Sequence, residues 1–319
     1  MKQSILRTAL LPSRVRPWTR RLVSGLAAGA LCAVVASPSF GAILLNDTWA
    51  DGSRTESNLP TESPVYASAA GSVTMATGSL SYAQSASSQR LHTYFAPVGS
   101  PVSLAVGDML TAKIDFVPKG TITDVSNRNF RFGLFYDPDG QLPNDGLNDS
   151  GGSGSPWTNA EGYAVFMPIQ NGATVSTAPT QIHKRTNLTN TSLLGSGAAY
   201  TAATAGGTPI AWVADNQYTL ILELCKISDT QMDITASVLD SAGGVLSTQT
   251  VSDDGTTFGA AAIYSNFDML AFRFSSASGT ADVLELRNFR IEAGAKIPEP
   301  STIVLASLAA IGFVARRRK

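Results

Sequence analysis

Between its two ends the chain places apolar side chains at every second position again and again, and that spacing confines it to β-structure. Leu110, Ala112, Ile114 and Phe116 interleave with Thr111, Lys113 and Asp115, and Met232, Ile234, Ala236 and Val238 interleave with Asp233, Thr235 and Ser237. Phe130, Phe132, Leu134 and Tyr136 form a third set, and Tyr218, Leu220, Leu222 and Leu224 a fourth. Successive side chains of a strand point to opposite faces, so each set predicts a strand with one face on a core and the other in water. Residues 162–169 and 270–274 are further candidates, and no window between the termini shows a convincing 3.6-residue period.

Turn chemistry falls where these strands must end. Ser228-Asp229-Thr230 joins two long strands as a hairpin, and Ser241-Ala242-Gly243-Gly244 continues into residues 245–251, which makes a meander. In the last strand, residues 282–292, Leu284 and Leu286 fall in one phase and Phe289 and Ile291 in the other; a β-bulge near Arg287-Asn288 reconciles them. Two loops, residues 137–159 and 195–209, are too long for tight hairpins and are expected on the surface. The prediction is one all-β domain over residues 42–296, a two-sheet antiparallel β-sandwich of the jelly-roll kind.

The ends are of a different composition. Residues 1–41 hold six cations and no acid, then an apolar run over 22–35, then Ser37-Pro38-Ser39-Phe40-Gly41, the layout of a secretory signal peptide cut after Gly41. Thr19-Arg20-Arg21-Leu22-Val23 partly resembles a twin-arginine signal, but the fuller pattern is missing and Sec export is expected. At the other end, residues 297–319 hold Pro298-Glu299-Pro300, an uncharged run over 303–315, and Arg316-Arg317-Arg318-Lys319. As a helix that run would span about 20 Å, short of the ~30 Å hydrocarbon core. A helix this short sits in a bilayer only if its flanks snorkel or the membrane thins, with the four cations on the cytoplasmic side. An ordinary C-terminal helix on a core is the alternative, but it has no use for an apolar run ending in four cations.

This three-part tail resembles the PEP-CTERM sorting tail of Gram-negative bacteria that make extracellular polysaccharide. The resemblance covers the last two dozen residues and implies an exported protein handed to an exosortase-type processing enzyme in the inner membrane, then released to the cell surface or extracellular matrix. It implies that Pro298, Glu299 and Pro300 are the sorting motif and that Arg316, Arg317, Arg318 and Lys319 stop the chain at the membrane. The body resembles, more loosely, the concanavalin A-like jelly rolls found in front of such tails: a first strand over residues 42–48 is followed by Trp49-Ala50-Asp51-Gly52-Ser53-Arg54, and the closing strand runs almost into the tail.

With the ends set aside, 13 of the 23 Lys and Arg remain against all 24 Asp and Glu, so residues 42–300 carry a net charge of −11. Such a surface repels phosphate backbones, and nucleic acid is not an expected partner. Cys32 leaves with the leader and Cys225 is then the single thiol, a small packing residue.

Catalytic chemistry is hard to find. Glucanases of this superfamily carry a Glu-x-Asp-x-x-Glu strand, but Glu161 and Glu223 are the only Glu residues between Glu62 and Glu285, and neither has an Asp two residues on. The chain has two histidines, His92 and His183, and no Gly-x-Ser-x-Gly elbow. His183, in Ile182-His183-Lys184-Arg185, reads as a solvated surface residue. Spacing for a transition metal is absent. Asp137, Asp139, Asp145 and Asp149, with Asn144 and Asn148 among them, offer loop oxygens of the kind calcium takes, with solvated Asx turns as the alternative. For glycan contact the candidates are Trp157, in the long polar loop, and Trp49 and Trp212, each equally a pin onto the core. Phe135 points away from the inward phase of its own strand, toward solvent or beneath a second loop. The expected function is that of an exported, non-enzymatic surface or matrix protein in contact with polysaccharide; the alternative is a polysaccharide-active enzyme whose carboxylates meet only in the fold.

Overall fold

The structure is a computed structural model that describes residues 41–83, 89–122, 128–147, 149, 156–169, 180–259, 261–274 and 281–295. The leader, Asn148 and the sorting tail with Pro298, Glu299, Pro300 and Arg316 to Lys319 lie outside the described residues.

The first half of the chain forms β1 (Ala42–Asp47), β2 (Val65–Ala67), β3 (Val73–Ala76), β4 (Ser79–Ala83), β5 (Gln89–Tyr94), β6 (Val102–Ser103), β7 (Asp108–Ile122) and β8 (Phe130–Tyr136). Then come β9 (Glu161–Met167), β10 (Gln181–Arg185), β11 (Tyr200–Ala202), β12 (Tyr218–Ser228) and β13 (Gln231–Asp240). The chain closes with β14 (Val245–Asp253), β15 (Asn266–Phe267), β16 (Met269–Phe274) and β17 (Ala281–Ala295). An eight-stranded sheet runs β14-β13-β12-β7-β17-β4-β3 with β1 also on β17, and a seven-stranded sheet runs β11-β10-β9-β8-β16-β5-β2. The fold is an all-β, two-sheet antiparallel sandwich.

The period-two sets line its interior. Leu110, Ala112, Ile114 and Phe116 of β7 pack with Leu220, Leu222 and Leu224 of β12 and with Met232, Ile234, Ala236 and Val238 of β13, all in one buried cluster with Phe130, Phe132 and Leu134 of β8. Burying each of the larger side chains contributes roughly 1.5–3 kcal/mol. The β12–β13 hairpin turns where its polar residues predict, and β13 continues into β14. The phase change in β17 is a bulge, with the β7 register shifting between Leu286 and Asn288. Pro118, which would remove a ladder hydrogen bond inside a sheet, lies past Phe116, the last β7 residue paired to β12.

β17 pairs with β7 along its length, and its other edge is shared by β4 at Val283 to Leu286 and β1 at Phe289 to Ala293. The first and last described strands are therefore neighbours, Ala42 opposite Ala293. A buried polar pin joins the sheets: Lys184 Nζ of β10 lies 2.7 Å from Asp253 Oδ2 of β14, both side chains fully buried. Asp253 also accepts from the Tyr163 hydroxyl at 2.7 Å, and Lys184 donates to the carbonyls of Ala261 and Ala262.

Candidate functional site

The outward face of the seven-stranded sheet is built in cross-strand rows. Arg90 of β5 stands opposite Arg273 of β16, Arg273 opposite Arg131 of β8, and Arg131 opposite Phe166 of β9. The next row is His92, Ala271, Gly133, Ala164 and His183, and the one after it Tyr94, Met269, Phe135 and Gly162. Small residues in the middle of the face let the Phe135 ring lie flat across the sheet: a Cβ at Gly162 would come within 2.5 Å of that ring.

This face is not open to water. The chain segments between β8 and β9 and between β10 and β11 cross it, and Trp157, Leu193 and Leu194 form a second apolar cluster there with Tyr94, Phe135, Ala164, Phe166, Met269 and Ala271. Arg185 holds this cover down, donating to the carbonyls of Ala160 and Trp157 on one segment and of Asn190 and Ser192 on the other. Asp149 joins the two: its carboxylate accepts from the Leu193 and Leu194 backbone N–H groups and the Ser192 hydroxyl. The segments approach so closely that a Cβ at Gly195 would overlap the Asp149 carbonyl oxygen.

Burial sets the electrostatics. His92 is held well below the usual imidazole range, first by burial and then by the Arg90 charge, and burial with Arg131 and Arg128 takes His183 down to about 3. Both rings are neutral at neutral pH. His183 stacks on Phe166 with centroids 3.9 Å apart, and neither of its ring nitrogens has a partner. Arg131 sits over the other ring contact of that stack, 4.4 Å from the Phe166 centroid, and Arg90 lies 4.1 Å from the Trp157 centroid. Arg131 is pushed down to about 10 by burial and then by Arg273. The face therefore presents cations, neutral imidazoles and aromatic rings. Asp149, the carboxylate enclosed between the covering segments, is already hydrogen-bonded.

The residues singled out from sequence fare differently. The four loop aspartates do not converge. Asp145 makes a two-point pair with Arg54, at 3.1 and 2.8 Å, and accepts from the Ala67 N–H; Asp149 is enclosed as described; Asp137 and Asp139 remain in a turn, the Asp139 N–H donating to Asp137 Oδ1. Among the described residues no three His, Cys, Asp or Glu side chains form a group that could hold a metal. Trp157 is no glycan contact: it is fully buried, as are Trp49 against Phe289 and Trp212 against Tyr218. Phe135 lies under the covering segment, and Cys225 is buried. His183 is not a surface residue either, because residues 181–185 are a strand beneath that cover. Asp137 and Asp268 meet at adjoining strand ends, raised by burial to about 6 and about 7 respectively, with Asp137 adding to the rise at Asp268. Both are under 4% exposed, so they do not line an open groove.

One aromatic that does reach the surface was missed by sequence reasoning, Tyr66 of β2. It lines a cleft of about 260 Å³ with Arg54, Thr55, Pro143, Asn144 and Asp145. Its strand has three residues, too short for alternation to reveal.

Residues 296–319 match the model of the PEP-CTERM protein-sorting motif. The chain carries a PEP-CTERM sorting motif. That motif implies an exported protein and an exosortase-type partner. No curated protein matches the chain. Among solved structures, peanut lectin with a nonapeptide is 10% identical, with 80% of this chain and 98% of that one covered and a TM-score of 0.44. Lectin UEA-II with galactose is 9% identical over 78% and 98%, TM-score 0.45. The exoplasmic domain of VIP36 in its calcium- and mannose-bound form is 11% identical over 81% and 100%, TM-score 0.45. At that level of likeness the sandwich rests on its own strand pairing. Among the described residues no helix is long and apolar enough to cross a membrane.

Proposed function

We propose that this is a non-enzymatic β-sandwich of the cell envelope or extracellular matrix, with residues 1–41 as signal peptide, 42–296 as the working domain and 297–319 as a sorting tail from which an exosortase-type enzyme at the inner membrane removes residues 301–319. The observation that carries the reading is the sorting motif beginning one residue after β17, the strand that closes the sandwich at Ala295. The domain is complete before the tail begins, so the tail is free to act as an address. Polysaccharide contact is best served by the Tyr66 cleft, which offers a ring face beside the Arg54–Asp145 pair.

Cell fractionation of wild type, a chain truncated after residue 296, and Glu299→Ala tests the sorting. The expected result is wild type at the surface lacking residues 301–319 by intact mass, with Glu299→Ala exported but uncut in the inner membrane. Equal cytoplasmic retention of wild type and truncated forms overturns the reading, and residues 301–319 still attached to surface protein would make the tail a permanent anchor.

A further inference from the structure

The cleft beside Tyr66 combines three kinds of wall. Pro64, Pro143 and the Tyr66 ring make it apolar on one side, the Arg54–Asp145 pair is ionic, and Asn144 offers an amide. Its volume of about 260 Å³ falls below the ~300–1,000 Å³ of pockets for drug-sized ligands, so it takes one ring of a ligand and not a run of rings.

These walls are fixed in advance. The Tyr66 ring rests against the His92 ring, centroids 5.2 Å apart. His92 Nε2 lies 3.0 Å from the Leu142 carbonyl oxygen, and the Leu142 N–H donates to the Tyr94 hydroxyl at 2.7 Å. The Gly146 N–H donates to the Ala67 carbonyl at 2.8 Å, and Asp145 accepts from the Ala67 N–H at 2.8 Å. Residues 142–146 are thereby stitched to β5 at one end and to β2 at the other. Arg54 is tied down by the Val65 carbonyl and by both Asp145 oxygens. A site held in this way loses little freedom on binding.

The chemistry of the walls selects the ligand. An aromatic ring flanked by prolines takes the C–H face of a pyranose, an apolar surface edged with hydroxyls. A guanidinium carries five N–H donors. Val65 and Asp145 occupy both donors of Arg54 Nη1 and one of Nη2, which leaves N–H groups beside Asp145 Oδ2 for a further partner. With side chains 17% and 38% exposed, Arg54 and Asp145 are within reach of a ligand. A donor next to an acceptor matches two neighbouring hydroxyls of a sugar, one accepting from Arg54 and the other donating to Asp145. It does not match a carboxylate or sulfate, because Asp145 already meets the Arg54 charge, and the −11 net charge of residues 42–300 repels polyanions.

We propose that this cleft binds one neutral pyranose residue, stacked on Tyr66 and held through adjacent hydroxyls by Arg54 and Asp145. The inference rests on the reading of polysaccharide contact at this cleft and adds the ligand class.

The test uses the full chain at constant ionic strength, with cellotetraose, mannotetraose, galactotetraose and tetragalacturonate as probes, titrated by saturation-transfer NMR. At least one neutral probe is expected to bind with a Kd on the order of 1 mM, the scale of one ring's contacts, and tetragalacturonate about tenfold or more weaker. The per-O-methylated form of that neutral probe keeps the ring, loses the hydroxyl donors and is expected not to bind. Tyr66→Phe should keep the affinity and Tyr66→Ala should lose about tenfold. In wild type the Asn144 side-chain amide and the Ala67 N–H resonances should shift on titration, a readout that stands even if Tyr66→Ala does not fold. Binding of the methylated probe overturns the hydroxyl pair. Binding that leaves those resonances unmoved, or that survives Tyr66→Ala unchanged, overturns the cleft as the site. Tetragalacturonate binding there as tightly as the best neutral probe overturns the neutral class and leaves polysaccharide contact standing. If no probe of either kind binds, polysaccharide contact at the cleft falls together with the inference.

Discussion

The two outward sheet faces of this sandwich are made by the same backbone alternation and end in opposite environments. On the eight-stranded sheet, Thr235 and Thr250 share a hydrogen bond at 3.0 Å and Ser237 and Thr248 one at 2.9 Å, all in solvent. Their neighbours on β7 and β12, Lys113, Asp115 and Thr219, are of the same polar kind. On the seven-stranded sheet the corresponding positions hold Arg90, His92, Tyr94, Phe135, Phe166, His183 and Arg273, beneath a cover of loop segments. One face ends at water; the other is the floor of a second small core. The difference teaches that a polar residue in the outward phase of a strand means little until what lies above the strand is known. Arginine and histidine on the covered face do structural and electrostatic work that a solvated face never asks of them.

The sharpest way to break this contrast is to remove the clamp. Arg185→Ala leaves four carbonyls beneath the cover without their donor, and a loss of about 3–5 kcal/mol in chemical denaturation is expected. Lys113→Ala on the solvated face should cost less than about 0.5 kcal/mol. Similar costs for the two would show that the cover is not held by Arg185. Next in size is Trp157→Ala, expected to cost about 3–4 kcal/mol through the cavity it opens. A surface glycan contact would instead leave stability unchanged, which would restore the sequence expectation for that residue.

Acidification separates the buried groups by sign. The raised carboxyls, Asp268 at about 7 and Asp137 at about 6, bind protons in the folded protein that the unfolded chain releases, so they destabilise at neutral pH and their cost fades as pH drops from about 7 toward 4. His183, depressed to about 3, acts the other way: its contribution is complete above the unfolded value near 6.5 and is lost as pH falls through that value toward 3. Asp268→Asn should therefore be more stable than wild type at pH 8, with the gap closing by more than about 1 kcal/mol by pH 5. His183→Phe should flatten the loss of stability below pH 6. Parallel pH profiles for wild type and both variants would mean that neither group is buried as described. The smallest effect belongs to the solvated face, where Thr250→Ala should change stability by no more than about 0.5 kcal/mol.

Much of the sandwich was legible because its inner face is written in local spacing. Leu110 to Phe116, Leu220 to Leu224 and Met232 to Val238 alternate along single strands, and even the β17 bulge shows as a change of phase between Leu286 and Phe289. Residues 181–185 were misread: a strand with Lys184 facing the core and His183 and Arg185 under a loop has no apolar alternation to see. The candidate site was hidden for the same reason. Arg90, Arg131 and Arg273 are far apart in the chain, and nothing in their local context marks them as partners.

What the amino-acid sequence determined by itself is therefore everything that depends on near neighbours: strand phase, turn positions, the bulge, and an address at residues 296–319 whose three parts lie in a row. Only the tertiary structure decided which strands pair, and with them the arginine ladder, the coverage of one outward face, and the transfer of Trp157, His183 and Asp149 from expected solvent to the interior. The physical reason is that a strand's period assigns side chains to two faces through its own geometry, whereas register across strands and the docking of a loop are fixed by burial and hydrogen bonds between residues distant in sequence, which no local pattern carries.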